Sequence, residues 1–110
     1  MDDLTLPAAI TAFINTTNAS DSAGFVALFT ADAVLNDWGT EYHGTDGIAS
    51  WNQTDNIGKQ SHFELADFRQ TDPQTWIVDL VVTGNGFNGT SPFQFTISED
   101  HLQEVKILPD

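Results

Sequence analysis

The stretch FVALFTADAVLNDWGTEYHG, residues 25–44, passes from a helix-like pattern into a strand-like one and places an aspartate beside a tryptophan where the strand ends. Phe25, Leu28 and Phe29 recur at helical spacing, which predicts one apolar face of a short helix. The following ADAVLND is apolar and β-branched at its centre, as in a strand. The stretch therefore predicts a helix followed closely by a first strand, with Asp37 at the end of that strand.

The chain before this stretch has the pattern of a first helix. Pro7 suits the first turn of a helix, and Ile10 and Phe13 follow at helical spacing on one apolar face. The segment NASDSAG then interrupts the pattern, and Ser20 or Asp21 is a natural N-cap for the second, short helix. Two helices are therefore expected before the first strand.

The segment WGTEYHG, which follows the first strand, has the composition of a loop. After it, Thr45 can cap a third helix over DGIASWNQTDN, in which Ile48 and Trp51 lie three residues apart on one side. Gly58 is a plausible C-cap for this helix. The first half of the chain thus predicts three short helices and one strand.

From Lys59 onward the sequence has a β pattern. Phe93, Phe95 and Ile97 alternate with polar residues, which is typical of a strand that is buried on one face. Four strand-length runs are separated by the turn signals TDP, GNGFNG and ED: QSHFELADFRQ, QTWIVDLVVTG, SPFQFTIS and HLQEVKIL. Consecutive strands joined by short turns predict an antiparallel meander, and the whole order predicts an α+β fold whose sheet curls around the helices.

Length and composition indicate one globular domain, residues 1–110. Hydrophobic residues make up 40% of the chain, and there is no cysteine, which excludes disulfides, thiolate metal sites and a cysteine nucleophile. No apolar run approaches the roughly 18 to 20 residues of a membrane span. The N-terminal MDDLTLPAAITAF carries acids where a signal peptide carries Lys or Arg. We therefore expect a cytoplasmic protein with no membrane partner.

The balance of charge is strongly acidic, with 16 Asp and Glu against 3 Lys and Arg and a formal net charge of -13. Such a surface repels phosphate backbones and anionic headgroups, so nucleic acid is not an expected partner either. Uncharged or cationic ligands remain open. The sequence contains no HxH, HExxH or acidic-loop motif, and we predict neither a metal site nor a cofactor.

The order of ASDSAGFVALFTADAVLNDWG, GTDGIASW and a four-stranded meander resembles the nuclear transport factor 2-like superfamily, which includes SnoaL-like polyketide cyclases and ketosteroid isomerase. The resemblance covers nearly the whole chain. It implies a cone-shaped, cystatin-like α+β barrel in which three N-terminal helices pack on a strongly curved, mostly antiparallel sheet. This fold hosts enzymes, binding proteins and assembly domains alike, so it does not define an activity.

The resemblance implies a role for Asp37. In ketosteroid isomerase the general base is an aspartate at the end of the first strand, and Asp37 matches that position. A carboxylate at the mouth of an apolar cone is partly desolvated, which increases its affinity for a proton and suits it to move a proton or activate water. The alternative is that Asp37 only accepts backbone hydrogen bonds in the turn at Trp38 and Gly39.

The same comparison weakens an assignment as a steroid isomerase. The oxyanion of that reaction is stabilised by a tyrosine of helix 1 and a protonated aspartate of the fourth strand, and the matching positions here are Phe13 and Phe93. Neither side chain donates a hydrogen bond, and losing one such donor costs roughly 10² to 10³ in rate. Steroid isomerisation is therefore disfavoured unless His62, Tyr42 or Trp51 supplies a donor.

Among the three histidines, His62 is the second catalytic candidate. In SHFELADF it shares a strand face with Glu64, while Phe63 lies on the other face. If the His62 face is concave, the imidazole meets Asp37 across the cone as an acid/base pair, as the resemblance to dehydratase members implies; otherwise it is a surface residue. His43 and His101 are expected to be solvated.

Two functions follow from this reading. The first is an enzyme that performs proton transfer, cyclisation or hydration on a small apolar molecule with Asp37 as base; the second is a non-catalytic ligand-binding or interaction domain whose cone is filled by aromatic side chains. Both faces of WIVDLVV are apolar, which predicts a homodimer through the convex face of the sheet. The candidate pocket residues are aromatic: Phe13, Phe29, Trp38, Trp51, Phe93 and Phe95.

Overall fold

The computed structural model describes residues 6–108. It contains three α-helices, which are α1 (Ala8–Asn18), α2 (Ser22–Val26) and α3 (Gly44–Asp55), and a 3₁₀ turn at Ile57–Lys59. Six strands complete the described part: β1 (Phe29–Asp37), β2 (Thr40–His43), β3 (His62–Asp72), β4 (Thr75–Thr83), β5 (Gly89–Ser98) and β6 (His101–Ile107). The four strand-length runs of the second half are all strands, as predicted.

The strands form one sheet in the order β2-β1-β6-β5-β4-β3. All neighbours are antiparallel except β1 and β6, which run parallel. The last four strands follow chain order because short turns connect them, which confirms the predicted meander. The parallel pairing places the end of β1 beside the end of β6, where Asp37 lies opposite Ile107.

The helices pack on one face of the sheet, and the core lies between the two layers. On β4, residues alternate between buried and half-buried, and Trp76, Val78, Leu80 and Val82 are the buried set. Phe13 of α1 is fully buried against this side of the sheet. The fold is therefore α+β with a mostly antiparallel sheet, as the sequence predicted.

The sheet is not regular along its length. The register of β3 against β4 shifts between Leu65 and Asp67 and again between Gln70 and Asp72. An extra residue in one strand bends that strand and increases its twist, which lets a sheet curve around the helices. At the start of β3, the Asn18 amide accepts a hydrogen bond from the Phe63 N–H and donates one to the Phe63 carbonyl, each 2.8 Å long.

The structure differs from the sequence prediction in four places. Phe29 begins β1 rather than belonging to the second helix, and the expected loop contains the short strand β2. Helix α3 begins at Gly44 after His43, not after Thr45. It ends at Asp55, with Asn56 as C-cap, while Gly58 lies within the 3₁₀ turn. The predicted cap of α2 is confirmed for Asp21, whose side chain accepts from the Gly24 N–H at 3.0 Å.

Across residues 6–108 the structure has no helix that is both long and apolar enough to cross a membrane. The cytoplasmic location stays a prediction.

Candidate functional site

A cavity of about 240 Å³ opens between α3 and the concave face of the sheet. Exposed aromatic residues, Trp38 and Phe87, lie at its solvent end, and fully buried Asn56 lies at its inner end. The remaining lining residues come from α3, five strands and the turn before β3: Asp37, Trp51, Asp55, Ser61, Phe63, Val82, Ser91, Phe93 and Ile107.

Asp37 is held on the wall of this cavity by a side-chain hydrogen bond. The Nε1–H of Trp51 on α3 donates to Asp37 Oδ2 over 3.0 Å. The turn after β1 does not use Asp37, since the Gly39 N–H donates to Asn36 Oδ1 at 2.7 Å. The alternative in which Asp37 accepts the backbone hydrogen bonds of this turn is therefore wrong, because Asn36 has that role.

Asp55 brings a second carboxylate to the cavity from the last position of α3. Its Oδ2 accepts hydrogen bonds from the Thr54 hydroxyl at 3.1 Å and from the Tyr42 hydroxyl at 3.5 Å. The pKa of Tyr42 is raised above its ordinary value by burial first, and then by the negative charges of Asp55 and Asp37. The negative charges of Asp37 and Asp55 therefore both act on the region around the Tyr42 hydroxyl.

The inner wall is polar and tightly hydrogen-bonded on the helix side. The Asn56 Nδ2 group donates to Thr17 Oγ1 at 3.0 Å and to Asn52 Oδ1 at 3.1 Å, and the Asn52 Nδ2 group donates to Ser22 Oγ at 3.2 Å. In this arrangement both hydrogens of the Asn56 amide are used, and its oxygen takes part in none of these bonds. Among the described residues, Asn56 Oδ1 is the one buried side-chain oxygen or nitrogen that lacks a hydrogen-bond partner.

The solvent end of the cavity is aromatic. Trp38 in the β1–β2 turn is 55% exposed and Phe87 in the β4–β5 loop is 46% exposed. Their ring centroids are 6.2 Å apart in an edge-to-face arrangement, a favourable geometry for aromatic pairs. Two loops that are distant in sequence therefore meet at the opening of the cavity.

The sequence profile of the SnoaL-like domain family matches residues 10–102. The chain belongs to the SnoaL-like domain family. This assignment also confirms the wider resemblance to the nuclear transport factor 2-like superfamily. Among curated proteins, none matches the sequence significantly.

Solved structures share the SnoaL-like fold over most of their length. A proposed polyketide cyclase from Sinorhizobium meliloti is 22% identical, with a TM-score of 0.84 over 93% of this chain and 94% of its own. A Mycobacterium tuberculosis protein in complex with estradiol-17β-hemisuccinate is 15% identical, with a TM-score of 0.81 over 93% and 91%. A cystatin-fold protein from Novosphingobium aromaticivorans is 18% identical, with a TM-score of 0.77 over 97% and 100%. At these identities the likeness establishes the fold.

Within this SnoaL-like domain, three of the six predicted pocket residues line the cavity, namely Trp38, Trp51 and Phe93. The other three lie in the core instead. Phe13 is buried among aromatic rings, with Phe63 stacked on it at 5.5 Å and Phe95 edge-on at 5.0 Å, and Phe29 packs at 6.4 Å. Aromatic side chains thus fill the centre of the cone, and the cavity occupies the space that remains at the end near Asp37.

The second catalytic candidate does not face this cavity. His62 is exposed, whereas its neighbour Phe63 is buried and lines the cavity. Since successive side chains of a strand point to opposite faces, the concave face belongs to Phe63 and the proposed pairing of His62 with Asp37 is wrong. His43 and His101 are both exposed, as predicted, and His43 Nε2 lies 3.1 Å from Glu41 Oε1.

Several lining residues were not among the candidates. Asp55 lies within the predicted third helix, one turn after Trp51, so helical spacing already placed the two on one face. Ser91 precedes Phe93 by two residues on β5, so strand alternation placed them together as well. Phe87 lies in the predicted turn segment GNGFNG. An aromatic residue in a turn was the signal that could have identified it as a site residue. Asn56 and Ser61 had no recognisable signal.

The wall has a carboxylate base but few donors for an oxyanion. Phe93 cannot donate a hydrogen bond, and the indole N–H of Trp51 is already bonded to Asp37. The hydroxyls of Ser61 and Ser91 are the neutral donors among the described lining residues that remain for a ligand. Within residues 6–108 no three His, Asp or Glu side chains are grouped to hold a metal ion.

Proposed function

We propose that this SnoaL-like domain binds a small, largely apolar molecule in the cavity and that Asp37 is the acid/base group that acts on it. The observation that carries the proposal is a carboxylate held by Trp51 on the wall of a cavity whose other walls are mostly aromatic and aliphatic. The proposed polyketide cyclase and the steroid complex among its structural neighbours support a small organic ligand.

The volume of the cavity limits the size of this ligand. About 240 Å³ is less than the roughly 300 to 1,000 Å³ of pockets that enclose drug-sized molecules. The aromatic rings around Phe13 occupy the rest of the cone. A molecule of one or two rings fits this space better than a four-ring steroid.

The reaction that suits the site is proton transfer by Asp37, either at carbon or from a water molecule, as in cyclisation or hydration. A positioned general base contributes typically about 10² to 10⁴ in rate. Phe13 and Phe93 cannot supply the oxyanion hydrogen bonds of a steroid isomerase, so we do not propose that activity. The hydroxyls of Ser61 and Ser91 are the groups that would stabilise developing negative charge.

A probe reaction tests the acid/base role without knowledge of the natural substrate. In 5-nitrobenzisoxazole, a base removes the ring C–H proton while the N–O bond breaks, which releases a coloured cyanonitrophenolate. We expect the domain to accelerate this reaction over free acetate, and Asp37→Asn to lower the rate about 10²-fold. The matched control is Asp46→Asn, which makes the same charge change on the exposed first turn of α3.

The second candidate function is non-catalytic binding, and it is favoured by the filling of the cone with aromatic side chains. If the domain binds the nitrobenzisoxazole but reacts no faster than acetate, the acid/base role of Asp37 is wrong and ligand binding alone remains. If neither binding nor reaction is detected, the small-molecule function is wrong for ligands of this size.

We further propose that two copies of the domain pair through the convex face of the sheet. On this face, half-buried Ile77 and Val81 lie on β4, and Arg69 lies opposite Ile77 on β3. Asp79 lies between Ile77 and Val81 on the same face. Arg69 offsets the negative charge of Asp79, which reduces the repulsion between two copies. Light scattering at micromolar concentration should give twice the mass of one chain, and Val81→Glu should return it to the monomer. A monomeric wild-type protein would contradict this pairing.

A further inference from the structure

The charged side chains that line the cavity are all negative. Asp37 and Asp55 lie on its wall, and no lysine, arginine or histidine does so among the described residues. The basic residues of the chain are elsewhere, with Lys59 in the 3₁₀ turn, Arg69 on β3 and Lys106 on β6. With a formal net charge of -13 on the whole chain, the cavity attracts cations and repels anions.

A second, independent feature is the unpaired oxygen of Asn56. The side chain is fully buried at 0% exposure and lines the cavity, and its Oδ1 lacks a hydrogen-bond partner. Both hydrogens of its amide nitrogen are directed to Thr17 and Asn52. A buried acceptor without a partner is costly, and a ligand that donates to it removes that cost.

The aromatic residues at the opening add a third contribution. The rings of Trp38 and Phe87 meet at the solvent end of the cavity, and Trp51 lies beside Asp37 on its wall. The electron-rich faces of indole and phenyl rings attract ammonium groups, most strongly where water is excluded. Carboxylates and aromatic faces in one cavity therefore favour the same kind of ligand.

We infer that the ligand of this cavity is a protonated amine on a small apolar body. The ammonium group lies beside Asp37 and Asp55, and one of its N–H groups donates to Asn56 Oδ1 after a small movement of the lining side chains uncovers this buried oxygen. This inference rests on the proposed binding function and names the chemical class of the ligand. A carboxylic acid would meet like charges, a neutral alcohol would satisfy Asn56 but neither charge, and a quaternary ammonium would satisfy the charges but could not donate to Asn56.

Four probes of matched shape separate these cases: 2-phenylethylamine, 2-phenylethanol, phenylacetate and trimethyl(2-phenylethyl)ammonium. Their affinities can be measured near neutral pH by calorimetry and by tryptophan fluorescence, since Trp38 and Trp51 both line the cavity. We expect the amine to bind at least about tenfold tighter than the alcohol and the quaternary ammonium, and phenylacetate to bind weakest.

Single variants test whether the preference for the amine depends on Asp55. Asp55→Asn keeps an oxygen that can accept from Tyr42 and Thr54, so the fold should be retained. It should lower the affinity for the amine about fivefold to tenfold and leave that for the alcohol unchanged. Asp46→Asn removes the same charge from the exposed start of the same helix and should change neither affinity.

Distinct outcomes overturn distinct steps. If the alcohol binds as tightly as the amine, or if Asp55→Asn weakens both equally, the amine is not the ligand class, although the proposed binding of a small apolar molecule stands. If the quaternary ammonium binds as tightly as the amine, the hydrogen bond to Asn56 is wrong. If none of the four probes gives saturable binding, the proposed binding function fails together with this inference.

Discussion

The indole Nε1–H of Trp51 donates a hydrogen bond to Asp37 Oδ2 over 3.0 Å. This contact joins the buried side of α3 to the end of β1, so a helix residue determines the orientation of a strand-end carboxylate. It also distinguishes the roles of the two tryptophans near Asp37. The adjacent Trp38 is exposed at the opening of the cavity, and the indole that holds Asp37 comes from a residue 14 positions later in the chain.

The coupling between these two side chains can be measured. We expect Asp37→Ala and Trp51→Phe together to cost less than the sum of the single variants, with a coupling of about 1.5 to 3 kcal/mol in the free energy of unfolding, because one charge-assisted hydrogen bond is counted in both. Urea unfolding of the four proteins gives this value. For the control pair, Asp46→Ala and Trp51→Phe, the losses of stability should be additive. An equal coupling energy in that pair would contradict the hydrogen bond between Asp37 and Trp51.

The fold should become less stable at alkaline pH because of Tyr42. Burial, followed by the charges of Asp55 and Asp37, raises the pKa of Tyr42 in the folded state above 10.0. A raised pKa means that the folded protein holds the proton more tightly. Its contribution to stability is therefore complete below the unfolded value and is lost as the pH rises through the folded value.

The measurement is direct because the chain contains a single tyrosine. Its phenolate absorbance reports the pKa of Tyr42 alone, and we expect Asp55→Asn to lower that pKa toward 10.0. Tyr42→Phe should remove the part of the stability loss that occurs above about pH 10. An alkaline profile that is identical in wild type and Tyr42→Phe would rule out this group as the cause.

The connection between α1 and β3 should depend on one amide. The Asn18 side chain both accepts from and donates to the backbone of Phe63, so Asn18→Ala loses two hydrogen bonds and should destabilise the fold by about 1 to 3 kcal/mol. Asn15→Ala, at an exposed position of the same helix, makes the same change in helix propensity. Equal stability of the two variants in urea would contradict the role of Asn18.

The aromatic pair at the opening should contribute to binding and little to folding. Phe87 is 46% exposed, so Phe87→Ala should change the free energy of unfolding by less than about 1 kcal/mol. It should weaken the binding of the neutral probe 2-phenylethanol about fivefold or more. Leu65 is similarly exposed, at 42%, but does not line the cavity, and Leu65→Ala should leave binding unchanged. If Phe87→Ala and Leu65→Ala weakened binding equally, the loss of affinity would not come from the aromatic pair at the opening.

Much of the architecture could be read from local patterns. The alternation of Phe93, Phe95 and Ile97 and the turn signals between runs identified four strands and their order, because each run needs to bury one face and each short turn returns the chain beside itself. Element boundaries were less certain. Phe29 continues the apolar spacing of the preceding helix but pairs with Leu102 in the sheet, since pairing across the sheet outweighs a weak local preference.

The site could be predicted only in part, because it also depends on pairing across the sheet. Asp37 at the end of a strand was identified from its position, but which strand face is concave depends on the pairing of β3 with β4, and a shift of one residue exchanges Phe63 for His62. Asn56 and Ser61 belong to the turn between α3 and β3, where no periodic pattern gives the direction of a side chain. Asn56 is held in the cavity by its contacts with Thr17 and Asn52, and the Ser61 N–H in turn donates to the Asn56 carbonyl.

The sequence by itself determined the α+β class, the meander, the acidic character and the carboxylate at the end of the first strand. These are properties of spacing and composition, which act between residues that are close along the chain. Only the tertiary structure decided that Trp51 holds Asp37, that three of the six candidate pocket residues lie in the core, and that Asp55 and Asn56 line the cavity. These contacts join segments distant in sequence, and close packing of the core selects them, because every side chain in it competes for the same volume.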